Sequence, residues 1–350
     1  MYSNENRVDT IKKKSLQRRL AGLAFETGLV QLGRPLWSNW LTVVNYHRID
    51  DVTQPDFDSF KPNVSASPAE FERQMEYLTK WYNVVSVKEL IGWLNGEKEL
   101  PPHAALITFD DGYLDNYTNA FPILRRHGLP ALIFLATGHI GTDVPFYWDL
   151  AAYCFHHTAK DHISFPHGRD AHWADHDELD TVSKDWTEAL KALPEPEKQS
   201  WVERLPEILQ VSIPEGYFQG LMMDWDQARE MSAGGIEFGG HTLSHPILTR
   251  ISFEEAKSQI AGSRRRVQAE TDQEVLGFAY PNGMMTDLNR GIEGLVAEAG
   301  YRVAFTLLHG PSPRKEVRSN PFAIRRIFIS HKHSMQEFAA MLSPLNRLRD

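Results

Sequence analysis

The feature that most constrains the fold of this chain is a regular alternation of short apolar segments with helical patterns. Residues 41–46, 104–109 and 276–280 have the length and apolar content of buried strands, and an amphipathic helix is predicted after each of them. About seven such strand–helix units are found when one irregular stretch is left out. Strands that alternate with helices usually pair in parallel, so the sequence predicts an α/β protein with a parallel sheet.

The irregular stretch lies at about residues 143–221. It is rich in charged residues, His and Trp, and Pro-rich turns separate its three helical patterns. We therefore predict a main α/β domain over residues 39–350 with a largely helical insertion at 143–221. Residues 1–38 precede this domain as a separate N-terminal segment.

The N-terminal segment is basic and amphipathic. Its cations are Lys12, Lys13, Lys14, Arg18 and Arg19. Glu26 and Gln31 interrupt the apolar run that follows, whereas a secretory signal needs an unbroken apolar core and a cleavage site. We interpret residues 10–33 as an amphipathic helix that packs on the outside of the domain or contacts an anionic membrane surface. We expect a protein of the cytoplasm or the periphery of the inner membrane, and the pattern carries no signal for an oligomeric state.

Charge and cysteine content exclude two classes of function. A net charge of -9 and a pI near 5.9 argue against nucleic acid as a partner, because phosphates are neutralised by concentrated positive charge. Cys154 is the only cysteine. An intramolecular disulfide and a cysteine-based metal site are therefore both excluded.

Two adjacent carboxylates end the strand predicted at 104–109. Asp110 and Asp111 are followed by Gly112, which allows a turn. Neighbouring residues on a strand point to opposite sides, so the two acids can act together only where the strand has ended. Chemistry in α/β barrels is found at such strand tips. The alternative is that one of the acids only caps the helix that follows.

A pair of histidines follows the strand predicted at 236–239. His241 and His245 are four residues apart, and a helical turn or a tight loop places both on one face, where they can bind one metal ion. The alternative is one histidine bonded to backbone and one exposed. Because parallel strand tips meet at one end of the fold, an aspartate can complete a site of two histidines and one carboxylate.

These two motifs resemble those of the polysaccharide deacetylases, the carbohydrate esterases that share a NodB-homology domain. TFDDG at 108–112 is similar to the first family motif, and HTLSH at 241–245 is similar to the second. The resemblance covers about residues 40–330 apart from the insertion, and it implies a distorted (β/α)7 TIM-like barrel. It also implies Asp110 as general base and one divalent metal ion, whose ligands are Asp111, His241 and His245. We expect zinc, with cobalt, nickel and iron as alternatives.

The later family motifs are altered in this chain. Ala279 stands where the family has an arginine that orients the base, and the last strand lacks the usual Leu-x-His that supplies the general acid. The branch that acts on biofilm poly-N-acetylglucosamine shows the same losses and takes its acid from a Tyr-His after an early strand, which NYHRI at 45–49 resembles. This resemblance implies His47 as general acid. Either Arg325 or Arg326 is expected to replace the arginine, since only one of them can face inward.

Amide hydrolysis explains why these residue types are needed. A divalent metal lowers the pKa of bound water from 15.7 to about 7, Asp110 takes or holds the second proton of the water, and His47 as imidazolium protonates the leaving amine. A backbone N–H near Asn282 is expected to help the metal stabilise the oxyanion. Trp148 is expected to line a sugar cleft, with core packing as its alternative use. The candidate substrate-binding residues are Tyr280, Pro281, Asn282, Gly283 and Trp148.

We therefore predict a metal-dependent hydrolase that removes N-acetyl groups from an N-acetylhexosamine-containing bacterial polysaccharide or exopolysaccharide precursor. One alternative is a catalytically inactive glycan-binding barrel of the same fold, which the missing arginine and the missing late histidine motivate. Another is a non-haem iron oxygenase, which uses a similar triad. The sequence disfavours the oxygenase, because Asp111 lies far upstream of both histidines and not in a compact His-x-Asp arrangement.

Overall fold

Seven parallel strands close into a barrel in the computed structural model, which describes residues 34–343. The barrel strands are β1 (Trp40–Tyr46), β2 (Ala104–Phe109), β3 (Leu132–Leu135), β4 (Glu237–Gly240), β5 (Gly277–Ala279), β6 (Val303–His309) and β7 (Ile324–Phe328). The first strand pairs in parallel with both β2 and β7, which closes the ring. The prediction of a distorted (β/α)7 barrel is confirmed. The amphipathic helix predicted at 10–33 lies outside the described residues.

The strands form where the sequence supplies apolar runs. Strand β2 reads AALITF and all six residues are buried, as expected for a parallel strand covered on both faces. The shorter strands β4 and β5 contain glycines that allow close contact. A Cβ atom on Gly239 would lie 2.6 Å from the carbonyl oxygen of Gly277 and 2.5 Å from the Phe134 ring. Only glycine therefore fits at this position.

The distortion of the barrel is visible around β2. The short strand Asn83–Val84 pairs with the first half of β2, while β3 pairs with its second half. Ser312–Pro313 adds an antiparallel pair to β1. A separate parallel pair joins Arg48–Ile49 to Val64–Ala66. Pairings this short are hard to predict from sequence, because two or three residues carry no periodic signal.

Helices surround the barrel in the described part of the chain. They are Pro68–Trp81, Val87–Leu94, Phe121–His127, Trp225–Ala233, Phe253–Thr271, Arg290–Glu298, Arg314–Ser319 and Met335–Met341. The hydroxyl of Ser67 accepts a hydrogen bond from the backbone N–H of Glu70 and so caps the first of these helices. Among residues 34–343, no helix has both the length and the apolar character required to traverse a bilayer.

Between β3 and β4 the chain leaves the barrel. It forms the helices Tyr147–His157, His176–Leu190 and Glu195–Leu209 and a hairpin of His162–Ser164 with Asp170–His172. Phe155, Trp186 and Leu205 are buried in a core of its own. The hairpin was not predicted, because most of its residues are exposed and show no apolar alternation.

The carboxyl ends of the barrel strands open into one cleft of about 640 Å³. Residues that follow β1, β2 and β4 form its floor, and the helix His176–Leu190 forms part of its wall. This position agrees with the general placement of active sites in (β/α) barrels.

Candidate active site

Three side chains from two strand ends converge on the floor of the cleft. Oδ1 of Asp111 lies 3.6 Å from Nε2 of His241 and 3.7 Å from Nε2 of His245. The possible ligand atoms of the three residues all lie within 4.8 Å of one another. Both carboxylate oxygens of Asp111 are buried, and within the described residues neither has a hydrogen-bond partner. A buried unpaired carboxylate is costly, so the arrangement fits a bound divalent cation.

Unusual backbone conformations direct these ligands toward one another. Asp111, Thr242 and His245 have φ angles of 75°, 68° and 59°, in the left-handed region that residues other than glycine rarely adopt. The hydroxyl of Thr242 accepts a hydrogen bond of 2.9 Å from the backbone N–H of His245, which holds the loop between the two histidines. Strained turns of this kind cluster at functional sites.

Each histidine ring is oriented by its neighbours. Nδ1 of His241 lies 2.8 Å from the carbonyl oxygen of Ala279 and must donate to it, which leaves Nε2 free to bind a metal. The ring of His245 packs edge-on against Trp148, with 5.0 Å between the ring centroids. Burial lowers the pKa of both histidines. Both are therefore neutral at pH 7, as metal ligands must be.

The two adjacent aspartates have opposite electrostatic environments. Burial raises the pKa of Asp111 well above its ordinary value, and the charge of Asp110 raises it further. Burial also raises the pKa of Asp110, but the Arg326 guanidinium, together with His241 and His47, outweighs this effect, and the pKa falls to about 2. Asp110 is thus ionised at neutral pH, whereas the ionised form of Asp111 needs a cation beside it.

Arg326 binds Asp110 through two hydrogen bonds. Nη1 donates to Oδ1 at 2.6 Å and Nη2 donates to Oδ2 at 2.8 Å, and the arginine is completely buried. Arg325, the next residue of β7, donates instead to the carbonyl oxygen of His309 at 3.0 Å. Of the two candidate arginines, the structure therefore places only Arg326 beside Asp110.

Asn45 is a site residue that the sequence analysis missed. Its side-chain amide donates to Oδ2 of Asp110 at 3.2 Å, and its carbonyl oxygen accepts from Nη1 of Arg326 at 3.0 Å. Asn45 is fully buried on β1. The available signal was a single polar amide near the end of an otherwise apolar strand, two residues before His47.

His47 lies directly after β1, beside Asp110. Its Nε2 is 3.8 Å from Oδ2 of Asp110, and its ring packs edge-on against Phe328. The backbone N–H donates to the hydroxyl of Ser65 at 2.9 Å. Burial lowers the pKa of His47 to about 4, although the charge of Asp110 acts in the opposite direction. The ring is therefore neutral at pH 7.

Only part of the predicted substrate-binding set lies in the cleft. Trp148 and Asn282 line it. Tyr280 does not, because its ring is fully buried in the core and its hydroxyl donates to the carbonyl oxygen of Phe322 at 2.9 Å. Pro281 and Gly283 are buried in the same turn, and the Gly283 carbonyl accepts from the backbone N–H of Leu307. The expected substrate contact of these three residues is corrected: they shape the turn that presents Asn282.

A buried polar network extends from Trp148, the residue that packs against His245. Nε1 of Trp148 donates to the hydroxyl of Tyr113 at 2.7 Å, and this hydroxyl donates to Oδ2 of Asp149 at 2.8 Å. Burial raises the pKa of Asp149 to about 7, although Arg48 lowers it. No local pattern indicates this contact between Tyr113 and Asp149, because only the folded insertion brings them together.

Comparison with known proteins identifies the class to which this fold and site belong. The family model for polysaccharide deacetylases matches residues 97–304. The Bacillus subtilis (strain 168) protein YxkH, which is named after this family, is 35% identical over 279 residues, or 79% of this chain and 70% of its own length. The chain belongs to the polysaccharide deacetylase family. It is thus an enzyme of the deacetylase class, and this family is metal-dependent in general.

Two further relatives carry more specific names. A poly-β-1,6-N-acetyl-D-glucosamine N-deacetylase of Staphylococcus aureus is 31% identical over 113 residues, which is 30% of this chain and 39% of that protein. The solved structure of the Streptococcus pyogenes deacetylase PplD in complex with acetate matches with a TM-score of 0.58 and 17% identity. That match covers 87% of this chain and 99% of the other, and it shows a shared fold.

Proposed function

We propose that this protein is a metal-dependent hydrolase that removes N-acetyl groups from an N-acetylhexosamine-containing bacterial polysaccharide or exopolysaccharide precursor. The observation that carries the proposal is the convergence of Asp111, His241 and His245 in the cleft that also contains Asp110 and His47. The S. aureus relative, whose name states N-deacetylation of an N-acetylglucosamine polymer, supports the class of sugar.

Asp111, His241 and His245 would hold the metal ion. We propose zinc, because two neutral imidazoles and one carboxylate form a three-ligand set typical of catalytic zinc sites, and cobalt, nickel and iron suit the same donors. When bound, the ion supplies a Lewis acid that lowers the pKa of water from 15.7 to about 7 and stabilises negative charge on the acetyl oxygen.

Asp110 is positioned to align the attacking water and to accept its proton. The two hydrogen bonds from Arg326 fix the carboxylate, and its pKa of about 2 keeps it ionised at neutral pH. The same low pKa makes Asp110 a weak base. His47, with a pKa of about 4 and Nε2 3.8 Å away, is the better proton acceptor. The proton taken from the water therefore passes to His47.

His47 then protonates the leaving amine. An amine leaves poorly unless it is protonated, so the proton must reach the nitrogen as the C–N bond breaks. His47 starts the cycle neutral, gains the proton of the water, and gives it to the nitrogen. Acetate and the free amino sugar are the products. We propose the backbone N–H of Asn282 as an oxyanion donor and Trp148 as an aromatic wall for the pyranose ring.

Acetate release tests this proposal. The substrates are oligomers of chitin and of poly-β-1,6-N-acetylglucosamine, each incubated with the full chain and added zinc, cobalt, nickel or iron. We expect acetate release with at least one metal, and loss of release in Asp110→Asn while the metal content stays unchanged. Absence of release from every acetylated glycan with every metal would overturn the proposal.

The alternative of an inactive glycan-binding barrel is less well supported. Its motivation is Ala279 and the absence of the late histidine, whereas an arginine and a histidine, Arg326 and His47, both lie beside Asp110 and support the catalytic proposal. A barrel that only binds glycans would retain its affinity after loss of the metal ligands. Unchanged glycan binding by Asp111→Ala together with no turnover by the unaltered chain would favour this alternative.

We also propose that the protein works in the cytoplasm or at the inner membrane surface. The support is the basic amphipathic pattern of residues 10–33, which lies outside the described residues. Fractionation of cells that carry the tagged full chain tests this location. Recovery in the periplasm or in the medium would overturn it.

A further inference from the structure

One face of an insertion helix forms a wall of the cleft. The helix His176–Leu190 and its C-terminal cap contribute side chains at spacings of three and four residues, namely Lys184, Thr187, Glu188 and Lys191. The opposite face carries Trp186 and Leu190 into the core of the insertion. The insertion therefore places charged residues opposite the barrel residues of the active site.

The cleft carries unpaired positive charge although the chain has a net charge of -9. Lys184, Lys191, Arg250 and Lys332 line it. Lys191 is paired with Glu188 at 2.8 Å, and Arg250 donates to the neutral carbonyl oxygen of Ala192. Within residues 34–343, no carboxylate forms an ion pair with Lys184, Arg250 or Lys332. These three positive charges are thus available to a ligand.

The acidic residues of the cleft do not cancel this charge. Glu188 is already paired with Lys191, and Asp110 is paired with Arg326. Asp287 is buried, accepts hydrogen bonds only from the neutral backbone N–H of Met284 and the hydroxyl of Thr286, and keeps one negative charge, which the three unpaired cations outnumber. The charge of the remaining carboxylate, on Asp111, is exceeded by that of any divalent cation bound there.

The three cations come from separate parts of the chain. Lys184 lies on the insertion helix, Arg250 ends the short helical turn Leu248–Arg250 after β4, and Lys332 follows β7. A solvated face of one helix would not explain this distribution, because the charges meet only around the cleft. A cleft lined with charge of one sign concentrates ligands of the opposite sign.

We propose that the cleft selects N-acetylated glycans that carry an anionic group, a carboxylate or a phosphate, close to the acetamido sugar. This inference rests on the deacetylase function proposed above and names its substrate more closely. Lys184, Arg250 and Lys332 contact the anionic group, and the acetamido group lies over the metal ligands. Deacetylation produces an ammonium group, which the same cations repel, so the charge also favours release of the product.

The test compares one neutral and two anionic substrates. They are a neutral N-acetylglucosamine disaccharide, the same sugar joined to glucuronate, and the same disaccharide with a 1-phosphate. We expect kcat/KM for at least one anionic substrate to exceed that of the neutral one by about tenfold at low salt, the order of effect of one or two exposed charge pairs. The ratio should fall toward 1 as salt rises, because exposed charges are screened. Comparison of kcat/KM between the two anionic substrates shows whether the cleft prefers a carboxylate or a phosphate.

Variants of the cleft lysines test whether these residues cause the preference for anionic substrates. The double change Lys184→Gln and Lys332→Gln should bring the ratio of anionic to neutral kcat/KM close to 1, mainly through KM. The matched control Lys257→Gln removes an exposed lysine of the helix Phe253–Thr271, outside the cleft, and should keep the ratio of the unaltered chain. A ratio of 1 in the unaltered chain, or a high ratio that survives the double change, would overturn the inference.

Binding separates this inference from the proposed function. Equilibrium affinities of the three glycans for Asp110→Asn are measured by calorimetry and do not depend on turnover. Preferential binding of an anionic glycan that Lys184→Gln and Lys332→Gln abolish supports the inference even if no acetate is released. Equal affinities for the neutral and anionic glycans overturn it even if the enzyme is active.

Discussion

Arg326 and Asp110 form a completely buried, bidentate ion pair although they are 216 positions apart in the chain. The pair joins the middle of β7 to the residue that follows β2, and Asn45 on β1 bonds to both partners. Three strands of the barrel thus fix the orientation of one carboxylate beside Asp111, His241 and His245. This pair is both a structural connection and part of the site.

Loss of Arg326 should destabilise the fold. Arg326→Met leaves Asp110 buried without its cation, and removal of one partner of a buried ion pair costs about 3–5 kcal/mol. Urea unfolding measures the change in the free energy of unfolding. The neighbouring Arg325→Met, whose arginine is only partly buried, should cost less than about 1 kcal/mol. Equal losses in the two variants would contradict the structural role of the pair.

His47 should affect the pH dependence of the reaction in a defined direction. Its pKa is lowered to about 4, and the proposed relay requires the ring to start neutral. We therefore expect kcat/KM to decrease as the pH falls below about 4. We expect no decrease caused by His47 as the pH rises through the ordinary pKa of histidine. His47→Gln should reduce kcat by about 10²–10⁴-fold. A basic limb near pH 6.5 that vanishes in His47→Gln would show instead that the ring must start protonated.

Asp149 should make the folded protein less stable as the pH rises. Its pKa is about 7 in the folded state and about 3.9 when unfolded, so the folded state binds the proton more tightly. The stability contributed by this proton is complete below pH 3.9 and is lost as the pH rises through 7. Asp149→Asn removes this titration. The unaltered chain should lose free energy of unfolding on the order of a few kcal/mol between pH 4 and pH 7, and the variant should not show this loss. Urea unfolding at several pH values measures it, and parallel profiles would contradict the prediction.

Asp111 should make the metal-free protein unstable at high pH and responsive to metal. Its raised pKa means that stability is lost as the pH rises above the usual carboxyl range, unless a cation pairs with the ionised form. At 100 times its Kd, zinc should add about 2.7 kcal/mol to the stability of the unaltered chain.

Asp111→Asn should be more stable than the metal-free unaltered chain at pH 8 and should lose the zinc-dependent shift in Tm. Thermal unfolding with EDTA or with zinc measures both effects. A zinc shift of unchanged size in Asp111→Asn would mean that the ion binds elsewhere.

Sequence patterns sufficed for the barrel and for the residues that the two motifs carry. The alternation of strands and helices predicted the fold, and both motifs lie at strand ends, where Asp111 and His241 converge. The choice between Arg325 and Arg326 needed the structure, because the side of a strand that faces the barrel interior depends on how the strand pairs with its neighbours. Tyr280 was misplaced for the same reason.

Other parts of the site had no local signal. Asp149 and Tyr113 meet only through the fold of the insertion, and the lysines of the cleft wall are ordinary charged residues in the sequence. The left-handed conformation of Asp111 was also beyond prediction, since only the requirement to bring three ligands together explains it. Long-range geometry, and not residue type, determines these features.

The insertion leaves the barrel after β3 and returns at β4, and these two strands are hydrogen-bonded to each other. Its two attachment points are therefore adjacent, and the segment can be replaced as a cassette without opening the ring. Because the cassette supplies a wall of the cleft but none of Asp110, Asp111, His241 and His245, we expect a transplanted insertion to change which glycan is accepted while the barrel keeps the residues of the proposed hydrolysis.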